Sequence, residues 1–555
     1  NYKDHDRSRT SYMLFGYGDG GGGPTRRMLE ILRRTKDLLG VPRTEIRTSE
    51  EFFTRLEKDL LELPVVVGEL YFEYHRGTYT TQAATKRYNR KNEWLLHDIE
   101  FAAALAWRTK GTAYPHAELA SLWHTLLINQ FHDILPGSSI TEVYHDTVRE
   151  HEELARRGHV LLDAALGPAE APWNMLGVPR QEVTARPDGT LCWVDVPSYG
   201  VGRVMNVVAG ETVSLEETPT GFVLENRALR AEIGKSGAVE RLLHKPTGRD
   251  ALTGHGNVLE LYDDHPTAWD AWDVDPFHLE TMTSCPPATT ASVEVSSLRA
   301  EVVFERRIGT SSRLVQRIRL DAGARRLEFH TEVDWHESHK LLKVAFPVPV
   351  RAMNATYEMQ FGCVERPTHF NTLADMARFE VPGHRFADLS EHGFGVALLS
   401  ESKYGWSTQG STLRMTLLRS PKSPDPQADM GHHVFSYAVY PHAGGWQVGG
   451  VVAEGLRFNQ PVLWGRQADP ESFFTVEDPN LVLDTVKKAE DSDALVLRFY
   501  ECHGARGTAR IECALPVTSA TRCNLLEDDG EALSVYDGDF EVDYEPYKLI
   551  TVKIV

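Results

Sequence analysis

Apolar and polar positions change period along the chain, and the changes divide it. From Met28 to Leu39 the apolar residues Met28, Leu29, Ile31, Leu32 and Leu38 fall at helical spacing. Val65-Val66-Val67-Gly68-Glu69 reads as a short buried strand that leaves at a glycine. Helix alternating with apolar strand is the pattern of an α/β unit. Three helical stretches follow, between 81 and 166. The first runs from Thr81 to Thr109, carries Ala84, Tyr88, Leu95, Ile99, Ala102, Leu105 and Ala106, and ends at Gly111. The second opens near Pro115, places Leu119, Leu122, Trp123, Leu126 and Leu127 in a stripe, and stops before Pro136-Gly137. The third opens on Ser139-Ile140-Thr141-Glu142, a capping-box pattern, with Ile140, Val143, Thr147, His151 and Leu154 at helical spacing. Short connections between three helices predict a small antiparallel bundle.

Gly167 to Pro172 is a linker by composition. Beyond it the period falls to two. Leu327, Phe329, Thr331, Val333 and Trp335 alternate with Glu328, His330, Glu332 and Asp334; Leu314, Gln316, Ile318 and Leu320 form a second such run, and Ile550, Val552 and Ile554 a third. Many short alternating runs between Gly, Pro and Asp turns predict antiparallel sandwiches, two or more of them. The fold class is therefore multidomain α+β.

The chain has 555 residues, of which 59 are Lys or Arg and 79 Asp or Glu, for a net charge of −20. Such an acid excess with no long basic run argues against nucleic acid and anionic membranes as partners. No stretch approaches the ~20 apolar residues of a membrane-spanning helix. The six cysteines are scattered without a C-x-x-C pair and read as the reduced thiols of a cytoplasmic protein. The chain opens Asn1-Tyr2-Lys3 with no Met and no signal-peptide or transit composition, and reads as starting inside a longer protein.

Four segments could carry chemistry. Phe15 to Pro24 holds six glycines in the eight positions 16–23, around Asp19. No Gly-Lys-Ser/Thr follows, so a phosphate cradle is weak, and a flexible loop with Asp19 in a turn is the simpler reading. Glu69 to Gln82 crowds aromatics, carboxylates, His75 and Arg76 into one turn, suited to a sugar or to a hydrogen-bonded corner with a capping Thr. Asn129 to Ser139 sets His132 and Asp133 at a helix C-terminus, where the negative potential favours a cation or an imidazolium. One His is not a metal site, because zinc takes three or four ligands, and a capping His is the simpler reading. Asp263 to Asp275 crowds five Asp, two Trp and a His into a loop; Ca²⁺, a stacked sugar and a solvated loop are all open, but the spacing is not that of an EF-hand.

Together these motifs resemble the family-38 glycoside hydrolases, the class II α-mannosidases, in their bacterial and cytosolic branch. The bearing segments are Phe15–Pro24, Glu69–Gln82 and Asn129–Ile140, with weaker echoes at Trp269–Asp273, Asp334–His339, Arg366–His369, Phe379–Pro382 and Lys403–Gly405. The resemblance implies residues 1–80 as the C-terminal part of a (β/α) catalytic domain and 81–166 as a three-helix middle domain. It implies a large β-sandwich domain over 173–480 and a C-terminal β-sandwich over 481–555. It implies retaining hydrolysis of terminal α-mannosyl residues through a covalent mannosyl intermediate, on mannose-containing oligosaccharides. It further implies one divalent ion, zinc first and cobalt second, that binds two sugar hydroxyls. Carried over, His132 is a metal ligand, Asp133 meets substrate hydroxyls, and Asp19 is the general acid/base. Arg419 is either an exposed loop arginine or, by analogy with basic residues of relatives, one that reaches the sugar. The family's His-x-Asp segment and its nucleophilic Asp have no match here. The intact protein is thus expected to be an α-mannosidase, and this chain alone to be inactive, with the remaining ligands and nucleophile upstream. The alternative from another class is a non-catalytic carbohydrate-binding β-sandwich protein. The sequence allows a homo-oligomer without specifying its contacts.

Overall fold

The computed structural model describes residues 3, 5–18, 21–60, 63, 65–206 and 211–555, in two compact units, 1–70 and 71–555. The Asp19 expectation falls outside the described residues.

In the first unit, helix α1 (Arg26–Thr35) starts at Thr25, whose hydroxyl accepts from the Met28 N–H at 3.2 Å. Helix α2 (Ser49–Asp59) starts at a Thr48/Glu51 capping box. Tyr12 stacks on Phe52, ring centroids 4.7 Å apart. The glycine-rich loop closes on itself through the Tyr17 N–H and the Gly22 carbonyl, 2.9 Å apart. The buried strand expected at 65–67 is not formed, and all three valines are exposed. A buried strand needs ladder partners at its edges and layers on its faces, and among the described residues this run has no ladder partner.

In the second unit, helices α3 (Ala83–Lys110), α4 (His116–Asn129) and α5 (Thr141–Leu166) form the expected bundle. Gly111 at φ 66° ends α3, its N–H donating to the Trp107 carbonyl. Close packing of α3 on α5 requires Gly158, where an added Cβ would sit 2.7 Å from Leu95 Cδ2. The capping box expected at Ser139–Glu142 is absent. Ile140 is the N-cap, without a side-chain hydrogen bond, and the Thr141 hydroxyl is drawn to Asp425.

The remainder is antiparallel sheet. A nine-stranded sheet runs through the hairpins Arg299–Ile308, Ser312–Asp321 and Leu327–Trp335 to the long strand Gly431–Ala443. A six-stranded sheet containing Lys340–Pro347 and Thr412–Arg419 and a five-stranded sheet share its core. Ile318, Phe329, Phe346 and Trp406 all belong to that one apolar cluster. The alternation read from the sequence is the burial observed: Leu327, Phe329, Thr331, Val333 and Trp335 point inward. Gln316 is the polar member of its inward row, and it is satisfied there by Thr331, Tyr437 and Asn257. A five-stranded and a four-stranded sheet close the chain, and their core is continuous with Leu95, Leu96 and Ile99 of α3. Helices beside antiparallel sandwiches make the chain multidomain α+β. All six cysteines are free, and among the described residues no helix is long and apolar enough to cross a membrane.

Candidate functional site

Strand Thr412–Arg419 ends in a guanidinium that is completely buried. Arg419 Nε and Nη2 donate to Asp264, at 2.8 and 2.6 Å. Its Nη1 donates to Thr81 Oγ1 and the Ala271 carbonyl, both at 2.9 Å, and Nη2 also to the carbonyls of Asp270 and Asp273, both at 2.8 Å. Arg419 is therefore neither an exposed loop residue nor free to reach a sugar: it binds the 263–275 loop to the entry of α3. Burial raises the Asp264 carboxyl, and Arg419 opposes that rise. Gly77 completes the junction. Its N–H donates to the Trp272 carbonyl at 2.8 Å, and a Cβ there would lie 2.1 Å from Arg419 Nη1. Arg76 is also buried, donating to the Ala377 carbonyl and lying over the Phe379 ring. From Arg76 to Gln82 the segment is thus a hydrogen-bonded corner.

Helix α3 begins at Gln82, which has no side-chain cap of its own. Asp429 supplies one from 347 residues away, accepting from the Gln82 and Ala83 N–H groups at 2.8 and 2.7 Å. Lys86, one turn in, is buried and donates to the carbonyls of Thr81 and Leu135. Burial pulls its ammonium down to about 7.

Leu135 belongs to the turn that follows α4. Here the Phe131 N–H donates to Ile128, Ile134 to Phe131, and Gly137 to Ile134. Lys86 holds the Leu135 carbonyl and the Tyr144 hydroxyl holds that of Ile134. Gly137 sits at φ 91°, where a Cβ would lie 2.5 Å from the Thr81 carbonyl oxygen. The backbone is thereby locked, while the side chains of His132 and Asp133 are 80% and 60% exposed. Nε2 of His132 lies 3.9 Å from Asp133 Oδ2, beyond hydrogen-bond length. His132 and Asp133, neighbours in the chain, both lie exposed just past a helix C-terminus, which favours positive charge. They amount to two donors, and among the described residues no three His, Cys, Asp or Glu side chains cluster to hold a metal. The described residues do not fit a complete metal site on their own.

The 263–275 loop hangs on the same junction. Its aspartates are all engaged: Asp263 by Lys340, Asp264 by Arg419, Asp270 by the Lys422 N–H and His339, Asp273 by Arg76, and Asp275 by Thr267. They are spread over separate partners rather than gathered round a cation. Trp269 is 68% exposed, in the left-handed region at φ 61°, with its ring edge-on to Trp272. Sequence reasoning misses Lys86, Asp425 and Asp429, and the buried role of Arg419, because their partners lie far away in the chain. The local sequence points the other way: Thr80-Thr81 directly precede the helix and suggest a cap, whereas the N-cap is Gln82 and the Thr81 hydroxyl donates to the Gly77 carbonyl.

The glycosyl hydrolases family 38 N-terminal domain matches residues 1–77 and the alpha mannosidase middle domain 73–168. The family 38 C-terminal domain matches 224–427, and the family 38 C-terminal beta sandwich domain 480–552. The chain is 41% identical to Alpha-mannosidase 2C1 of Homo sapiens over all of its own length and 57% of that protein. It is 33% identical to Alpha-mannosidase G of Dictyostelium discoideum, over all of this chain and 59% of that one. The chain thus spans less than two thirds of these relatives. Among solved structures, an alpha-mannosidase from Enterococcus faecalis superposes with a TM-score of 0.77 at 16% identity, over 96% of this chain and 75% of that one, a likeness of fold. With its N-terminal, middle and C-terminal regions all matched, this chain belongs to glycosyl hydrolase family 38.

Proposed function

We propose that this chain is part of an α-mannosidase that removes terminal α-mannosyl residues from oligosaccharides with retention, through a covalent mannosyl intermediate. The observation that carries the reading is the locked turn after α4, which offers His132 and Asp133 to solvent side by side. His132 would contribute an imidazole nitrogen to a divalent ion, zinc first and cobalt second. When bound, such an ion would polarise sugar hydroxyls. Asp133 would accept hydrogen bonds from those hydroxyls, and Asp19 would act as acid and then base. Trp269 offers an exposed indole face against which a sugar can stack. A cytoplasmic location is supported by the scattered free thiols. We further propose that these 555 residues alone do not turn over mannosides, because their described residues assemble at most two ligands.

The test uses an aryl α-mannoside with added Zn²⁺ or Co²⁺. The chain alone should be inactive. A chimera that adds the part of the human relative outside the aligned stretch should hydrolyse the substrate and release α-mannose first. Robust turnover by the chain alone would refute its proposed inactivity, and a folded, metal-loaded chimera without turnover would refute the activity.

A further inference from the structure

A cavity of about 770 Å³ lies in the second unit, lined by Lys91 of α3 but by no residue of the His132 turn or the 263–275 loop. Its walls are the strands Arg180–Ala185 and Leu191–Val196, the turn between Ser312–Asp321 and Leu327–Trp335, and the end of helix Val451–Asn459. Its volume is in the range of ligand pockets, roughly 300–1,000 Å³. Eight Lys or Arg and seven Asp or Glu residues line it. Many of these charges are already matched to one another. Arg299 grips Asp321 with two hydrogen bonds of 2.6 and 2.7 Å, Arg326 pairs with Glu328 and Glu454, and Arg180 with Glu182 at 3.0 Å. Arg326, Arg457 and Arg325 outweigh burial and hold the Glu454 carboxyl down at about 2, so that wall stays ionised. Arg180 is 2% exposed, and its Nε and Nη1 have no hydrogen-bond partner among the described residues.

Eight cationic against seven anionic side chains leave little net charge to draw in a charged ligand. They do present fixed N–H donors and carboxylate acceptors close together, which suits a molecule that is itself both donor and acceptor. We propose that this cavity is a second, non-catalytic binding site for a neutral oligosaccharide of about two to three hexoses. The choice of a mannosyl probe rests on the proposed substrate class, but the site itself does not.

Calorimetric titration of the 555-residue chain with mannotriose, maltotriose and inorganic phosphate tests it. At least one trisaccharide should bind, and phosphate should not. Thr184→Trp, which fills the cavity from its wall, should weaken binding at least tenfold, as should Glu182→Gln if the bulky variant does not fold. His132→Ala should leave binding unchanged. Phosphate binding without trisaccharide binding, no binding of either sugar, or loss on His132→Ala with a folded cavity variant unaffected would each overturn the proposal. Because no turnover is measured, failure here is distinct from failure of the mannosidase reading.

Discussion

Replacing Arg419 by Met removes a completely buried guanidinium and keeps most of its volume. Asp264, 1% exposed, then loses its cation, at a cost of about 3–5 kcal/mol for a broken buried pair. The carbonyls of Ala271, Asp270 and Asp273 each lose a donor. An unsatisfied buried acceptor costs about 1–3 kcal/mol, reduced where water enters or, as at Ala271, a second donor remains. Thr81 is that second donor. The combined loss should be at least about 5 kcal/mol, comparable with the whole stability of a typical domain. Removing the stranded carboxylate as well, in Arg419→Met with Asp264→Leu, should recover about 3 kcal/mol, since apolar replacement of a buried pair is often neutral. A chain of several domains is not expected to unfold in one step. The assay is therefore urea unfolding followed by tryptophan fluorescence, with hydrogen exchange at residues 263–275 as the local reporter. Unchanged exchange in that loop, with stability within about 1 kcal/mol of the parent, would refute the role assigned to Arg419.

Other substitutions probe the same junction and its surroundings. Gly137→Ala forces a side chain into a left-handed backbone beside the Thr81 carbonyl and should cost about 2 kcal/mol or more in denaturant unfolding. Lys86→Met leaves the carbonyls of Thr81 and Leu135 without their ammonium donor and should speed exchange in the 131–137 turn. It should also remove a pH dependence. With the folded ammonium at about 7 and the ordinary value at 10.5, the unfolded chain holds more protons between them, so parent stability should rise with pH across that window. Burial lowers His151 from 6.5 to about 4. Its contribution should be complete above the ordinary value and fall by about 3 kcal/mol as pH drops through the folded one, and acid titration of His151→Gln should show a flatter profile.

The sandwiches are legible because strands half buried on one face write their period directly into the chain, as Leu327 to Trp335 do. The bundle is legible from its stripes and from Gly111. What stays hidden depends on distant partners. The Ser139–Glu142 pattern has the composition of a capping box, yet Asp425 takes the Thr141 hydroxyl. Val65 to Val67 have strand propensity, but propensity cannot supply a neighbouring strand. Arg419 looks like a surface residue until its partners Asp264 and Thr81 come together from distant parts of the second unit. His132 and Asp133 stand out through the family motif alone, since an exposed His at a helix end has many uses.

Everything proposed for the sugar chemistry depends on the His132 turn being part of a metal-dependent site. The most direct measurement is bound divalent metal, by elemental analysis, together with mannoside hydrolysis, on the chimera and its His132→Ala variant. The expected result is about one ion per chain in the parent, and loss of both metal and rate in the variant with its fold intact. Full metal content with full rate in His132→Ala would contradict it.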